Sequence, residues 1–268
     1  MMDAISRVLK EVYNNRRRLI RLAFYDLKLM NKGTLFGLMW NLFNPALQIL
    51  VYWFVFGYIL DTPPPRGEYI YIVWMITGII PWFYISESLM SSTVSIYSFA
   101  GVLKRMYIPL AIVPVKSVLT SFMSHLVAMF LVLTIYVFSG YKLKLGVIYL
   151  LYYMFCSFVF LTAYAMLAST ITVLFKDFQR IMGSIIRFLF YITPIVWVPE
   201  TLSEKMQLIV RLNPLAYIVM GYRNSILYGS DLMYNWKQGV YFWTFTAILF
   251  IIGCRVHVKI RKQFVDLI

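Results

Sequence analysis

Residues 145–175 run thirty-one positions without an Asp, Glu, Lys, Arg or His. A helix crosses the ~30 Å hydrocarbon core of a bilayer with roughly 20 apolar residues, so this run can cross with tilt. Its apolar residues are continuous rather than alternating with period two, which selects a helix over a barrel strand. The rest of the chain agrees. Hydrophobic residues make up 61% of the sequence and the mean hydropathy is +0.74, well above a soluble domain. The fold class expected is an all-α integral membrane protein.

Six apolar segments are predicted, over residues 33–60, 69–89, 108–138, 145–175, 181–198 and 240–258. Pro45 lies inside the first, Pro81 inside the second and Pro194 inside the short fifth. Lys and Arg positions then set an orientation. Eighteen of them fall on the side that holds the N-terminal segment, the second-to-third and fourth-to-fifth connections and the tail; seven fall on the other. Both termini are therefore expected in the cytoplasm. Residues 1–32 form a separate cytoplasmic unit ahead of the membrane domain, 33–268. With no early apolar core, they predict no cleavable signal peptide.

The cluster Lys176, Asp177 and Arg180 becomes a tight cytoplasmic turn, after which the fifth segment rises until Pro194 breaks it. Residues 199–236 form the longest outer connection and are too apolar to be fully solvated. Pro199, Pro214 and Gly221 cut them into pieces too short to span. Two short helices that re-enter the outer leaflet or cap the bundle are one reading; an amphipathic helix lying on the surface is the other. In residues 1–32, Ile5, Val8, Leu9, Val12, Leu19, Ile20, Ala23, Phe24 and Leu27 recur at helical spacing opposite a basic face. This predicts an interfacial helix suited to anionic headgroups, to a partner protein below the membrane, or to both.

The +14 net charge is explained by this topology and implies no nucleic-acid partner. The chain contains no GxxxxGK[ST] phosphate loop and no HExxH. His125 and His257 lie in different segments, and Cys156 and Cys254 sit in apolar runs as small buried hydrophobes. A membrane-embedded transferase would need a carboxylate or histidine cluster at one face, and the eleven carboxylates are scattered, with Glu87 alone near membrane depth. A transport role without catalytic, metal or cofactor residues is expected.

Aromatic residues make up 18% of the chain. Tyr52, Trp53 and Phe56 in the first segment, Trp82, Phe83 and Tyr84 in the second, and Phe190, Tyr191 and Trp197 in the fifth are candidates for a sugar-compatible pathway. The aromatic belt at membrane interfaces accounts for most such residues. Arg187, about two turns inside the fifth segment, either faces a polar pathway or snorkels to the interface. Gly33 and Gly37 form a GxxxG pair that hints at close helix contact.

The ordered motifs carry a resemblance. A basic amphipathic start is followed by GLMWNLFNPALQILVYWFVFG, GIIPWF, LKRMYIPLAIVP, LFKDFQRIMGSIIRFLFYITPIVWVPE, LNPLAYIVMGYRNSILYG and VHVKIRKQFVDLI. Across essentially its whole length the chain resembles the membrane subunits of ABC-2-type polysaccharide exporters. Within them it looks most similar to teichoic acid translocation permeases, and the O-antigen permeases share the layout. Lys176 stands where the family often has Arg before the Asp.

The resemblance implies a homodimer of six-helix subunits in the bacterial cytoplasmic membrane, bound to two separate ATP-binding subunits that hold ATP and magnesium. It implies a coupling helix over residues 98–109, with Lys104, Arg105, Met106 and Tyr107 pressed against the ATPase. Tyr25, Asp26 and Lys28 would form a second contact, and Lys176, Asp177 and Arg180 face the same side. The implied cargo is a polyprenyl-diphosphate-linked polymer, wall teichoic acid, with O-antigen, capsule or a small lipophilic compound as alternatives. It would pass between the first and fifth segments of opposite subunits, along Tyr52, Trp53, Phe56, Glu87, Tyr191 and Trp197. Arg187 would meet the diphosphate, and Arg211 and Arg223 would guide the emerging chain.

Overall fold

A computed structural model describes residues 2–30, 32–34, 36–60, 69–103, 108–229 and 236–261. Those residues are all-helical, with no strand among them. Two helices, α1 (Met2–Asn14) and α2 (Arg16–Met30), form the N-terminal unit. The first apolar segment becomes α3 (Trp40–Tyr52), continued by a π-helical stretch Trp53–Ile59. Next come α4 (Tyr71–Thr93), the short α5 (Ser95–Ser98) and α6 (Ala100–Leu103), then α7 (Ile112–Phe138), α8 (Ile148–Leu174) and α9 (Phe178–Ile192). The connection after α9 supplies α10 (Glu204–Leu212) and α11 (Pro214–Arg223), and α12 (Trp236–Ile260) closes the bundle.

Four helical stretches among the described residues are long and apolar enough to cross a membrane: Tyr71–Thr93, Ile112–Phe138, Leu145–Leu174 and Trp236–Ile260. The other two expected segments are shorter. The apolar part of the first is Phe43–Ile59, and α9, with 15 residues, extends only about 22 Å at 1.5 Å per residue.

Burial separates the centre of the bundle from its rim. Of the 23 residues in α4, 17 are buried, so α7, α8, α9 and α11 enclose most of α4, leaving Phe83, Ser86 and Glu87 on its more open face. On α12 the buried residues Gly239, Phe242, Thr246, Gly253, Cys254 and His257 recur at one-turn intervals. They form one stripe packed on α8, the signature of a peripheral helix. A Cβ on Gly253 would lie 3.1 Å from the backbone nitrogen of Leu167, so the missing side chain sets how near α12 comes to α8.

The N-terminal unit is docked on the bundle by its apolar face. Val8, Leu19 and Ala23 are buried, and Val8 and Leu19 share a core with Ala111, Ile112, Val115, Met166 and Cys254. An ion pair from Arg261 to Glu11 joins the far end of α12 to α1. The N-terminal unit and the end of α12 therefore occupy the same end of the bundle. Part of the amphipathic face thus meets this chain itself, while Leu9, Tyr13, Ile20, Phe24 and Tyr25 stay exposed.

The Gly33/Gly37 pair corrects its expectation. Both residues have positive φ, 85° and 51°, and a Cβ on either would meet nothing within 4 Å. They turn the chain between α2 and α3, a left-handed conformation that glycine adopts without steric cost, and they bring no helices together within the chain.

Residues 199–236 divide between the two expected readings. Met206, Leu208, Ile209 and Leu212 of α10 remain exposed, with Val210 buried, so α10 lies on the surface. In α11, Leu215, Ala216, Ile218, Val219, Gly221, Tyr222 and Arg223 are buried, and the helix inserts between α4, α8 and α12. Its start is written locally: Asn213 caps it by accepting from the Leu215 N–H at 3.0 Å, with Pro214 at the first helical position. A Cβ on Gly221 would fall on the Tyr153 ring. We expect Gly221→Ala to cost about 1–3 kcal/mol through overpacking, read as a lower unfolding temperature of the purified protein.

Candidate functional site: a polar groove at one end of the bundle

α9 stops at Ile192, and residues 193–197 run as irregular backbone, buried in the protein over 193–196. In a medium without water such carbonyls need internal donors. Arg223 supplies two, donating to Pro194 O at 2.9 Å and Ile195 O at 2.5 Å. Tyr71 supplies a third through its hydroxyl to Val196 O at 3.0 Å, and Asn213 Nδ2 donates to Thr193 Oγ1 at 2.9 Å. The Arg223 guanidinium also lies 3.8 Å from the centre of the Trp74 ring, a favourable cation–π placement. Arg223 is only 4% exposed. It clamps α11 to the broken end of α9, which corrects its expected role as a surface guide for emerging polymer. Arg211, on α10, is exposed and free of that constraint.

A concavity lies beside the middle of α9 and the end of the N-terminal unit. A cavity of about 630 Å³ is walled by Trp40, Asn44 and Gln48 from α3, Phe83, Ser86 and Glu87 from α4, Ser124 from α7, and Gly183 and Arg187 from α9. Met30 at the end of α2 closes one side. A second cavity of about 360 Å³ adjoins it, sharing Met30 and Glu87. Asp26, Ser91, Ser117, Thr120 and Ser121 complete its wall. Together they make a groove rich in hydroxyl and amide groups between α2, α3, α4, α7 and α9.

Two charges line this groove without an ionic partner among the described residues. Arg187 is exposed and donates to Ser184 Oγ at 3.2 Å. Glu87 accepts from Ser121 Oγ at 3.3 Å. A second carboxylate is neutralised: Asp26 on α2 pairs at 2.5 Å with Lys116 on α7, whose side chain is 8% exposed. The Lys116 Nζ also lies 4.3 Å from the centre of the Phe99 ring. This pair ties the N-terminal unit to the wall of the smaller cavity.

Other sequence-identified residues fall as follows. Tyr52 stacks on Phe190 with ring centres 5.2 Å apart, Phe190 meets Trp82 edge-on, and Phe56 lies against Tyr52. Trp197 donates its indole N–H to Tyr191 O at 2.9 Å, while Tyr191 and Trp53 are exposed. An aromatic strip therefore continues from the groove along α3 and α9. At the end holding the N-terminal unit, Tyr25, Lys28, Lys176, Asp177 and Arg180 are exposed. Lys176 lies 5.0 Å from the Tyr97 ring of α5, and Asp177 pairs with Arg180 at 3.3 Å, so the charged turn adjoins the α5 end of the expected coupling region. Lys104, Arg105, Met106 and Tyr107 lie outside the described residues.

Sequence reasoning missed two connections. Lys116 was legible as a cation in an apolar run, which calls for a counter-charge, and Asp26 is its answer. His125, without an obvious partner in the sequence, meets the Tyr222 hydroxyl at 3.1 Å and stacks on Tyr84. Tyr222 in turn meets Ser157 at 3.2 Å. No spacing rule links residues 97 positions apart.

Helices of spanning length around a central α4, one inserted half-length helix and a polar groove between helices define the class: a multi-pass membrane protein with a polar groove among its helices. Among the described residues no cluster of metal-ligating side chains occurs. The chain belongs to the ABC-2 type transporter family, whose model matches residues 18–227. It is 26% identical over 244 residues to the O-antigen export system permease protein RfbA of Klebsiella pneumoniae, covering 91% of this chain and 92% of that one. It is 25% identical over 228 residues to the protein of the same name from Myxococcus xanthus, covering 84% and 86%.

Proposed function

We propose that this chain is the permease subunit of an ABC exporter that carries a lipid-linked glycan of the O-antigen kind from the cytoplasm to the outer face. The observation that carries this reading is the groove between α3, α4 and α9, with an unpaired cation beside hydroxyl groups and aromatic rings. The similarity to O-antigen permeases favours that cargo over the wall teichoic acid suggested by the motif resemblance.

In this reading α3 with its π-helical continuation and α9 complete six spans, and the basic end of the bundle faces the cytoplasm. Two copies meet across α3 and α9, whose side chains Leu47, Leu50, Val51, Phe188 and Tyr191 are exposed in the single chain. Each copy sits on a separate ATP-binding subunit that supplies ATP and magnesium. Tyr25, Lys28, Lys176, Asp177, Arg180 and the segment 104–107 form the contact. The polyprenyl tail stays in lipid while Arg187 takes the diphosphate through charge-assisted hydrogen bonds. The glycan then follows Tyr52, Trp53, Phe56, Tyr191 and Trp197 outward, and hydrolysis shifts the dimer between closed and open states.

The test is ATPase activity of the chain co-purified with its ATP-binding subunit in lipid, with and without polyprenyl-diphosphate glycan. Stimulation is expected in the native complex, and Arg187→Ala is expected to need roughly tenfold more lipid for the same stimulation, the equivalent of one charge-assisted contact. A chain that binds no ATPase, or a complex indifferent to the lipid, overturns the reading.

A further inference from the structure

Glu87 is a carboxylate on a membrane helix with no cationic partner among the described residues. Among the described residues its one hydrogen bond comes from Ser121. An ionised carboxylate offers about four acceptor sites, and an ionisable group inside a membrane domain is normally paired or serves function. The nearby carboxylate Asp26 is already matched by Lys116, so Glu87 alone gives the groove an unpaired negative charge. Around it stand Ser117, Thr120 and Ser121 in the smaller cavity. Ser124 lines the larger one, and its Oγ is buried without a hydrogen-bond partner among the described residues.

We infer that Glu87 determines cargo class: it accepts hydrogen bonds from the hydroxyls of uncharged sugars next to the lipid diphosphate and disfavours polymers that carry phosphate in every repeat. A carboxylate accepts two hydroxyl donors at once, and serine and threonine hydroxyls that already donate can still accept. Trp40 and Phe83 on the same cavity offer apolar faces to the sugar ring. A polyphosphate entering the groove would place like charges together where lipid and protein screen poorly. Arg187 and Glu87 thus divide the cargo between them, cation for the diphosphate and anion for the sugar. This inference rests on the glycan-exporter reading and adds the selection rule to it.

The experiment uses the permease–ATPase complex in lipid nanodiscs and two synthetic lipids with the same polyprenyl diphosphate, one bearing a neutral hexose trisaccharide and one a glycerol-phosphate oligomer. Binding is expected to favour the neutral lipid by about tenfold. Glu87→Gln, which keeps shape and removes charge, is expected to bring the ratio close to one, mainly by tightening the polyphosphate lipid. Glu87→Asp is expected to keep the preference. Equal binding of both lipids by the native complex overturns the inference whether or not the glutamine variant folds, and so does a folded glutamine variant with an unchanged ratio. A native complex that binds neither lipid defeats the exporter reading itself, and the selection rule with it.

Discussion

Replacing Arg223 by alanine is expected to destabilise the protein by about 2–5 kcal/mol, because two buried carbonyls lose their donor. The side chain donates to two carbonyls of a helix break, Pro194 O and Ile195 O. Both carbonyls would lose a donor, and an unsatisfied buried acceptor costs about 1–3 kcal/mol. The cation–π contact with Trp74 disappears as well. Lysine keeps the charge but has no fork that can span two carbonyls, so Arg223→Lys should fall between the native protein and the alanine variant. Gly78 belongs to the same arrangement, because a Cβ there would collide with the guanidinium. The check is the unfolding temperature of the purified complex for the three proteins. An alanine variant that melts within about 1 °C of the native protein would show that the clamp contributes nothing.

The second large effect concerns the pair between α2 and α7. Lys116→Met and Asp26→Asn are not expected to be equivalent. Removing the lysine leaves Asp26, whose side chain is 32% exposed, able to recruit water. Removing the carboxylate leaves Lys116, 8% exposed, as an uncompensated cation beneath Phe99. Breaking a buried pair in that way costs about 3–5 kcal/mol, whereas a hydrophobic replacement of both partners is often neutral. The exposure of Asp26 moves the expected cost toward the lower end. Asp26→Asn should therefore release the N-terminal unit, seen as faster proteolysis or hydrogen exchange in α2. The double variant with Lys116→Met should recover much of the loss. If Asp26→Asn leaves α2 as protected as in the native chain, the pair is not what holds it.

These effects also show what could be read before any coordinates. The position of the charged turn at Lys176, the end of α9 near Pro194, and the cap-and-proline start of α11 at Asn213–Pro214 are all local. Each depends on residues within a few positions, where backbone sterics and capping act. The division of residues 199–236 into a surface helix and an inserted one was not legible. Both helices carry apolar residues at similar spacing, and only the vacancy between α4, α8 and α12 decides which of them is swallowed. Arg223 was misread for the same reason: a cation in a connection expected on the outer side resembles a solvated one until the carbonyls it serves are known.

By itself the sequence determined that this is a helical membrane protein, where its apolar runs lie, where its cations cluster and where the fifth segment breaks. Hydrophobic length and charge position are properties of contiguous residues, and the bilayer reads them segment by segment. Tertiary structure alone decided that Arg223 is a clamp, that Asp26 answers Lys116, and that Glu87 and Arg187, 100 positions apart, line one cavity. Those relations depend on helix rotation and depth, which packing fixes only once all the helices are present together.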